Sequence, residues 1–154
     1  MVLSLYNTLS RSKEIFTPLD ESHIQIYACG PTVYDLIHVG NARPLVVFDV
    51  LVRLLRYHYP QVTYVRNITD VDDKINQRAT ERGISIETLC DETIEQFHHD
   101  TDALMVVAPD IEPRATHHID EMVAMIKTLI AGGFAYEADG HVLFSVAAMP
   151  AYGG

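Results

Sequence analysis

Apolar and polar residues alternate along this chain with two distinct periods, and the changes of period mark out its elements. Residues 23–30 (HIQIYACG) mix β-branched and aromatic residues and stop at a glycine, which predicts a strand. Residues 31–38 read as a loop. A helix is predicted over 41–59, with Pro44 tolerated because it falls in the first turn. Leu45, Val46, Val47, Phe48, Val50, Leu51, Val52, Leu54 and Leu55 leave a narrow polar stripe at Asp49, Arg53 and Arg56, so this helix is expected to be buried on most sides. Residues 62–69 (VTYVRNIT) predict a second strand. Strand, helix, strand is the βαβ order, which favours a parallel pair with a right-handed crossover.

Downstream, residues 70–82 open with aspartates suited to a helix N-terminus and end before Gly83, a C-cap. Ser85 caps a further helix expected to reach residue 106, its apolar positions recurring at the helical period. The two prolines of residues 108–115 (APDIEPRA) predict a break and a unit boundary, dividing the chain into 1–107 and 108–154. A helix over 116–132 follows, with Ile119, Met122, Val123, Ile126, Leu129 and Ile130 on one face. The segments 134–137 and 141–146 flank Asp139-Gly140 and predict a hairpin. One parallel crossover leaves the sheet unfinished, as in half of a nucleotide-binding fold.

Composition narrows the class. In 154 residues, 48% apolar and 21% charged is the profile of a globular chain. No apolar run reaches the roughly 18 to 20 residues that span a bilayer, so no membrane association is expected. Two cysteines, Cys29 and Cys90, do not make a disulfide framework, which makes the cytoplasm the expected compartment. The net charge of −10 argues that these residues alone bind nucleic acid weakly. An open sheet edge and apolar face make self-association a further expectation.

The candidate chemistry sits between Gly30 and Arg43. A loop that leaves a sheet strand and feeds a helix N-terminus suits a phosphate, since free N–H groups and the helix dipole favour anions. Gly40 allows close approach of a ligand to the backbone, and His38 has a proton to donate to a phosphate oxygen. The stretch matches neither GxGxxG nor the P-loop, and an ordinary helix start with a structural histidine fits it too. Cys29, at the strand end, is a metal ligand, a nucleophile with His38 as base, or a small core residue. Thr69 and Asp70 follow the second strand at the edge where ligands of such sheets sit. Asp70, Asp72 and Asp73 offer either a Mg²⁺ site or a helix cap, the cap being favoured for the last two. The pairs His98-His99 and His117-His118 point about 100° apart on a helix and read as structural or surface residues, Cys90 as core.

The run YACGPTVYDLIHVGNARPLVVFDVLVRLLR, followed by YVRNITDVDDKIN, closely resembles the N-terminal half of the catalytic domain of cysteinyl-tRNA synthetases. The opening LYNTLSRSKEIFTPL and the later PDIEPRATHHIDEM resemble the same family, so the likeness covers residues 3–154. The resemblance implies an α/β fold: the N-terminal half of a class I synthetase Rossmann-like domain, with the start of the inserted connective segment. It implies ATP-dependent activation of L-cysteine and transfer to tRNA(Cys), with Mg²⁺ accompanying ATP. His38-Val39-Gly40-Asn41 stands at the HIGH signature, which makes His38 and Asn41 catalytic and His38, Gly40 and Asn41 ATP-binding; Asn41 departs from the signature's final histidine. Gly30, Thr32 and Thr69 fall at amino-acid-binding positions, and Cys29 at the first Zn²⁺ ligand, where the metal would select a thiol over a hydroxyl.

The family's remaining zinc ligands and its KMSKS loop have no counterpart in these residues. The resemblance therefore implies a fragment that is inactive by itself. Two other readings stay open: a ligase joining activated cysteine to an amino sugar, and a non-catalytic binding module built from the same half-fold.

Overall fold

The computed structural model describes residues 3–153. Six short strands and four helices follow in the order β1 (Ser4–Asn7), β2 (Ser12–Ile15), β3 (Ile24–Ala28), α1 (Val39–His58), β4 (Val62–Arg66), α2 (Asp73–Arg82), α3 (Ile86–Ala103), α4 (Ile119–Ala131), β5 (Ala135–Ala138) and β6 (His141–Phe144). They divide into two compact units, Pro18–His117 and the flanking stretches 3–17 with 118–153.

The unit Pro18–His117 is built on the parallel pair β3–β4, registered Ile24 to Val62 through Ala28 to Arg66, with α1 as the crossover. The predicted βαβ order is therefore present. Leu45, Val52 and Leu55 of α1 are buried, and Val52 packs with Ala28 and Tyr64 of the sheet. The expectation that α1 is buried on most sides does not hold among the described residues. Val46, Val47, Val50 and Tyr57 are exposed, because a sheet this narrow covers one helix face and no more. The second cluster joins α2 and α3, with Ile75 and Ala79 against Leu89, Ile94 and Phe97. Caps follow the sequence reading. Asp72 accepts the Lys74 amide proton at 2.9 Å, Ser85 accepts that of Thr88 at 3.0 Å, and Gly83 closes α2 in the left-handed region at φ 65°. Helix α3 ends at Ala103, before the predicted residue 106, where Met105 takes φ 57°.

The Pro-rich stretch 108–115 is hydrogen-bonded to the sheet and is not simply a break. It runs parallel along β4, with bridges from Val65 to Ile111 and from Ile68 to Arg114. The amides of Arg66 and Ile68 donate to the carbonyls of Ile111 and Pro113, and Ala115 donates back to Ile68. Prolines are tolerated on such an edge where no N–H is required for the ladder. Ion pairs fasten the pass: Arg56 to Asp110 at 2.8 Å and Arg66 to Glu112 at 3.1 Å.

In the other unit, β1 and β2 form an antiparallel hairpin that periodicity did not predict. Helix α4 carries the predicted apolar face, yet none of its residues is fully buried. Strands β5 and β6 pair antiparallel around Asp139 and Gly140, both at positive φ, the geometry of a type I′ turn.

Candidate functional site

Three segments converge at the carboxyl end of β3 and β4: the turn after Ala28, the start of α1 and the segment after Arg66. The backbones of the first and third are stitched together. Thr69 donates to the Pro31 carbonyl at 3.0 Å, and Val33 donates to the Thr69 carbonyl at 3.1 Å, so Thr32 and Thr69 face each other across a parallel bridge. The Gly30 amide donates to Asn67 Oδ1 at 2.9 Å, and Asn67 Nδ2 donates to Thr69 Oγ1 at 3.1 Å. A Cβ on Gly30 would lie 1.5 Å from the Asn67 carbonyl oxygen. Close backbone packing therefore requires glycine at this position before any ligand is considered.

His38 is the N-cap of the helix it precedes. Its Nδ1 accepts the Gly40 amide proton at 3.0 Å, and its own amide donates to Asn41 Oδ1 at 3.1 Å. This reciprocal pair is a capping box made from His and Asn. With Nδ1 as acceptor, the ring proton resides on Nε2, so His38 presents a single N–H donor outward. The bond also consumes the Gly40 N–H, one of the donors expected to serve an anion. Gly40 is small for a local reason: a Cβ there would sit 2.8 Å from His38 Cε1 and 2.9 Å from Nδ1. Asn41 spends its Oδ1 on the cap and keeps Nδ2 as a donor. Because α1 begins at Val39, Pro44 lies in its second turn and not its first. Lacking an N–H, Pro44 gives no i→i−4 bond to the Gly40 carbonyl.

Between the turn and the helix lies a pocket of about 120 Å³, lined by Cys29, Gly30 and Pro31 on one side and Gly40, Asn41, Pro44 and Leu45 on the other, with Phe97 of α3 as an aromatic wall. The volume suits an amino-acid-sized group and is too small for a nucleotide. The site thus brings Cys29, Gly30, Gly40 and Asn41 together, with His38 over Gly40 and Thr32 and Thr69 in the adjoining backbone clamp. Sequence reasoning missed Asn67 and Phe97. Asn67 stands within the NIT block, and Phe97 is an ordinary apolar position of α3.

Cys29 is exposed, and its thiol lies 3.6 Å from the Gly30 carbonyl. Among the described residues, no three His, Cys, Asp or Glu side chains gather as a metal site. Cys29 would be a lone ligand, and the described residues do not complete a zinc centre. Asp70 serves structure: its carboxylate accepts from the Thr116 amide at 2.9 Å and hydroxyl at 2.6 Å. His98 Nε2 bonds Glu112 at 2.6 Å. Cys90 is buried in the core, and burial pushes its thiol pKa up, helped by the nearby Asp70 and Asp91 charges.

Residues 15–154 match the family model described as tRNA synthetases class I (C) catalytic domain. The chain belongs to this class I tRNA synthetase family. Among proteins similar to this class I catalytic-domain chain are those named cysteine–tRNA ligase from Rhodospirillum rubrum, 62% identical over 99% of the chain, and from Paramagnetospirillum magneticum, 61% identical over 99%. The chain spans about a third of their length, 33% in both. Among solved structures, the Mycobacterium tuberculosis methionyl-tRNA synthetase in complex with methionyl-adenylate aligns at a TM-score of 0.66 and 18% identity, over 80% of this chain and 29% of that one. That likeness shows the fold: the parallel pair, crossover helix and converging turn belong to the Rossmann-like class I architecture. Among the described residues, no helix is long and apolar enough to cross a membrane.

Proposed function

We propose that these residues form one wall of the adenylate-forming site of a cysteine–tRNA ligase. The observation that carries the proposal is the His38 cap, an exposed ring whose Nδ1 holds the amide of Gly40, itself a lining residue of a pocket of amino-acid size. The whole protein would activate cysteine with ATP and pass it to tRNA(Cys). In the first step the cysteine carboxylate attacks the α-phosphorus and pyrophosphate leaves. His38 Nε2–H and Asn41 Nδ2 would donate to phosphate or ribose oxygens, and the α1 dipole would favour the charge gathered there. Nothing in that step needs a proton taken from the substrate, so the wall acts by position and electrostatics.

Cysteine itself would occupy the pocket beside Cys29, with Gly30, Thr32 and Thr69 shaping its backbone end. Cys29 would give one ligand to a zinc ion whose other ligands lie outside these residues. Mg²⁺ would arrive with ATP, since among the described residues no cluster of three or more His, Cys, Asp or Glu side chains stands ready to hold it. These 154 residues by themselves are then expected to bind ligands weakly and to charge no tRNA.

The relatives named cysteine–tRNA ligase, 61–62% identical, favour this reading over an amino-sugar ligase or a non-catalytic module. Cysteine-dependent exchange of pyrophosphate into ATP tests it, using a protein that carries this chain together with the remaining two thirds found in its relatives. Exchange with cysteine and not with serine is expected. Exchange with both, or with neither, contradicts the reading.

A further inference from the structure

The least expected side chain beneath the pocket is Arg66. It is 2% exposed, among the most buried large side chains of the chain, and its Nε and Nη1, like the buried Tyr64 hydroxyl near it, lack a hydrogen bond of good geometry. Its Nη2 donates to Glu112 at 3.1 Å, and the other Glu112 oxygen is held by His98 at 2.6 Å. The guanidinium carbon lies 5.0 Å from the centre of the Phe97 ring, the aromatic wall of the pocket. Arg66 Cγ also lies 3.3 Å from the place a Gly30 Cβ would occupy, so the side chain passes directly behind the pocket's turn. Burying a cation with unused donors is costly. Part of its compensation here comes from the face of the Phe97 ring, which ties the charge to the orientation of that ring.

We propose that Arg66 is a positioning residue of the site: it holds Phe97 flat against the pocket and so fixes the space open to the substrate's amino-acid end. The role rests on the reading of the pocket given under Proposed function. Glu112 and His98 are the anchor that keeps the guanidinium over the ring. A lysine at 66 would keep the charge and lose the broad guanidinium that lies over Phe97.

The test is calorimetric titration of the 154-residue chain with a cysteinyl-adenylate analogue in which a sulfamate replaces the phosphate. Arg66→Met and Phe97→Leu should each weaken binding about tenfold, and the double variant should be weaker than either by no more than about twofold, the signature of residues acting as a unit. A purely structural Arg66 leaves affinity within about twofold while lowering the melting temperature, and that result overturns the proposal. Multiplicative losses in the double variant overturn it too. If Arg66→Met does not fold, Arg66→Lys carries the same comparison. A chain that binds no analogue removes the reading of the pocket, and a second measurement then decides the positioning role separately. The sequence has no tryptophan, so Phe97→Trp makes a single tryptophan reporter, excited selectively over the tyrosines. Adding Arg66→Met, or Arg66→Lys, should raise its quenching by acrylamide about threefold, since a freed ring reaches solvent. Unchanged quenching contradicts the proposal.

Discussion

His38 Nδ1 accepts the Gly40 amide proton at 3.0 Å, and a methyl group on Gly40 would stand 2.8 Å from the same ring. The helix start and the catalytic candidate are therefore one object. Gly40→Ala should separate stability from ligand binding. Alanine favours a helix over glycine by about 1 kcal/mol, which offsets the displaced cap, so the melting temperature should hardly move. The shifted ring should weaken binding of the adenylate analogue about tenfold, as calorimetry would show.

His38→Asn asks the complementary question. Asparagine is a strong N-cap, so stability should stay within about 0.5 kcal/mol in urea unfolding. The outward Nε2–H is lost, and analogue affinity should fall with it. His38→Ala loses both, at about 1 kcal/mol of stability.

Gly30→Ala has a different expected outcome. Its Cβ would fall 1.5 Å from a backbone oxygen, that of Asn67, and no side-chain rotation relieves that contact. The turn or the NIT segment must move, at a cost of about 3 kcal/mol or more. The urea midpoint reads the loss directly.

Acid should loosen the Pro-rich pass. The Tyr64 amide and then Arg56 hold the Asp110 carboxyl below its ordinary pKa. Arg53 first, then the Val107 amide, does the same for Asp49. A folded-state value below the unfolded one, about 3.9, contributes stability that is complete above the unfolded value. It is lost as pH falls through the folded one. Urea midpoints should therefore be flat from about pH 6 to 5 and drop below about pH 4. Asp110→Asn should be less stable at pH 6 and show a shallower drop. Equal slopes for the two proteins would contradict the assignment.

The strand–helix–strand frame was legible because Ile24, Ile26, Val62 and Tyr64 carry strand chemistry on either side of a long apolar helix. The caps at Asp72, Ser85 and Gly83 were legible because their residue types are local signals. His38 as its own helix's cap was not, since His-x-x-Asn lacks the usual Ser/Thr-x-x-Glu wording. Pro109 and Pro113 suggested a break, because the sequence cannot show that Arg66, Ile68 and Ala115 donate the hydrogen bonds along that edge. The partnership of Arg66 with Phe97 and Glu112 joins residues far apart in the chain, and no period or spacing encodes it. The exposed valines of α1 were misjudged for the same reason: apolar content states what a face can bury against, not whether the partner is there.

On this reading the pocket between Cys29 and Phe97 receives the aminoacyl end of the adenylate, with the nucleotide outside it on the side of His38 and the start of α1. The most direct measurement is amide chemical-shift mapping of the ¹⁵N-labelled chain during titration with the cysteinyl-adenylate analogue. The largest shifts should fall at Cys29, Gly30, Gly40 and Asn41, and His38→Asn should abolish them. Shifts concentrated instead in the groove between Tyr34, Arg78 and Gln96, or no shifts at saturating analogue, would contradict the account.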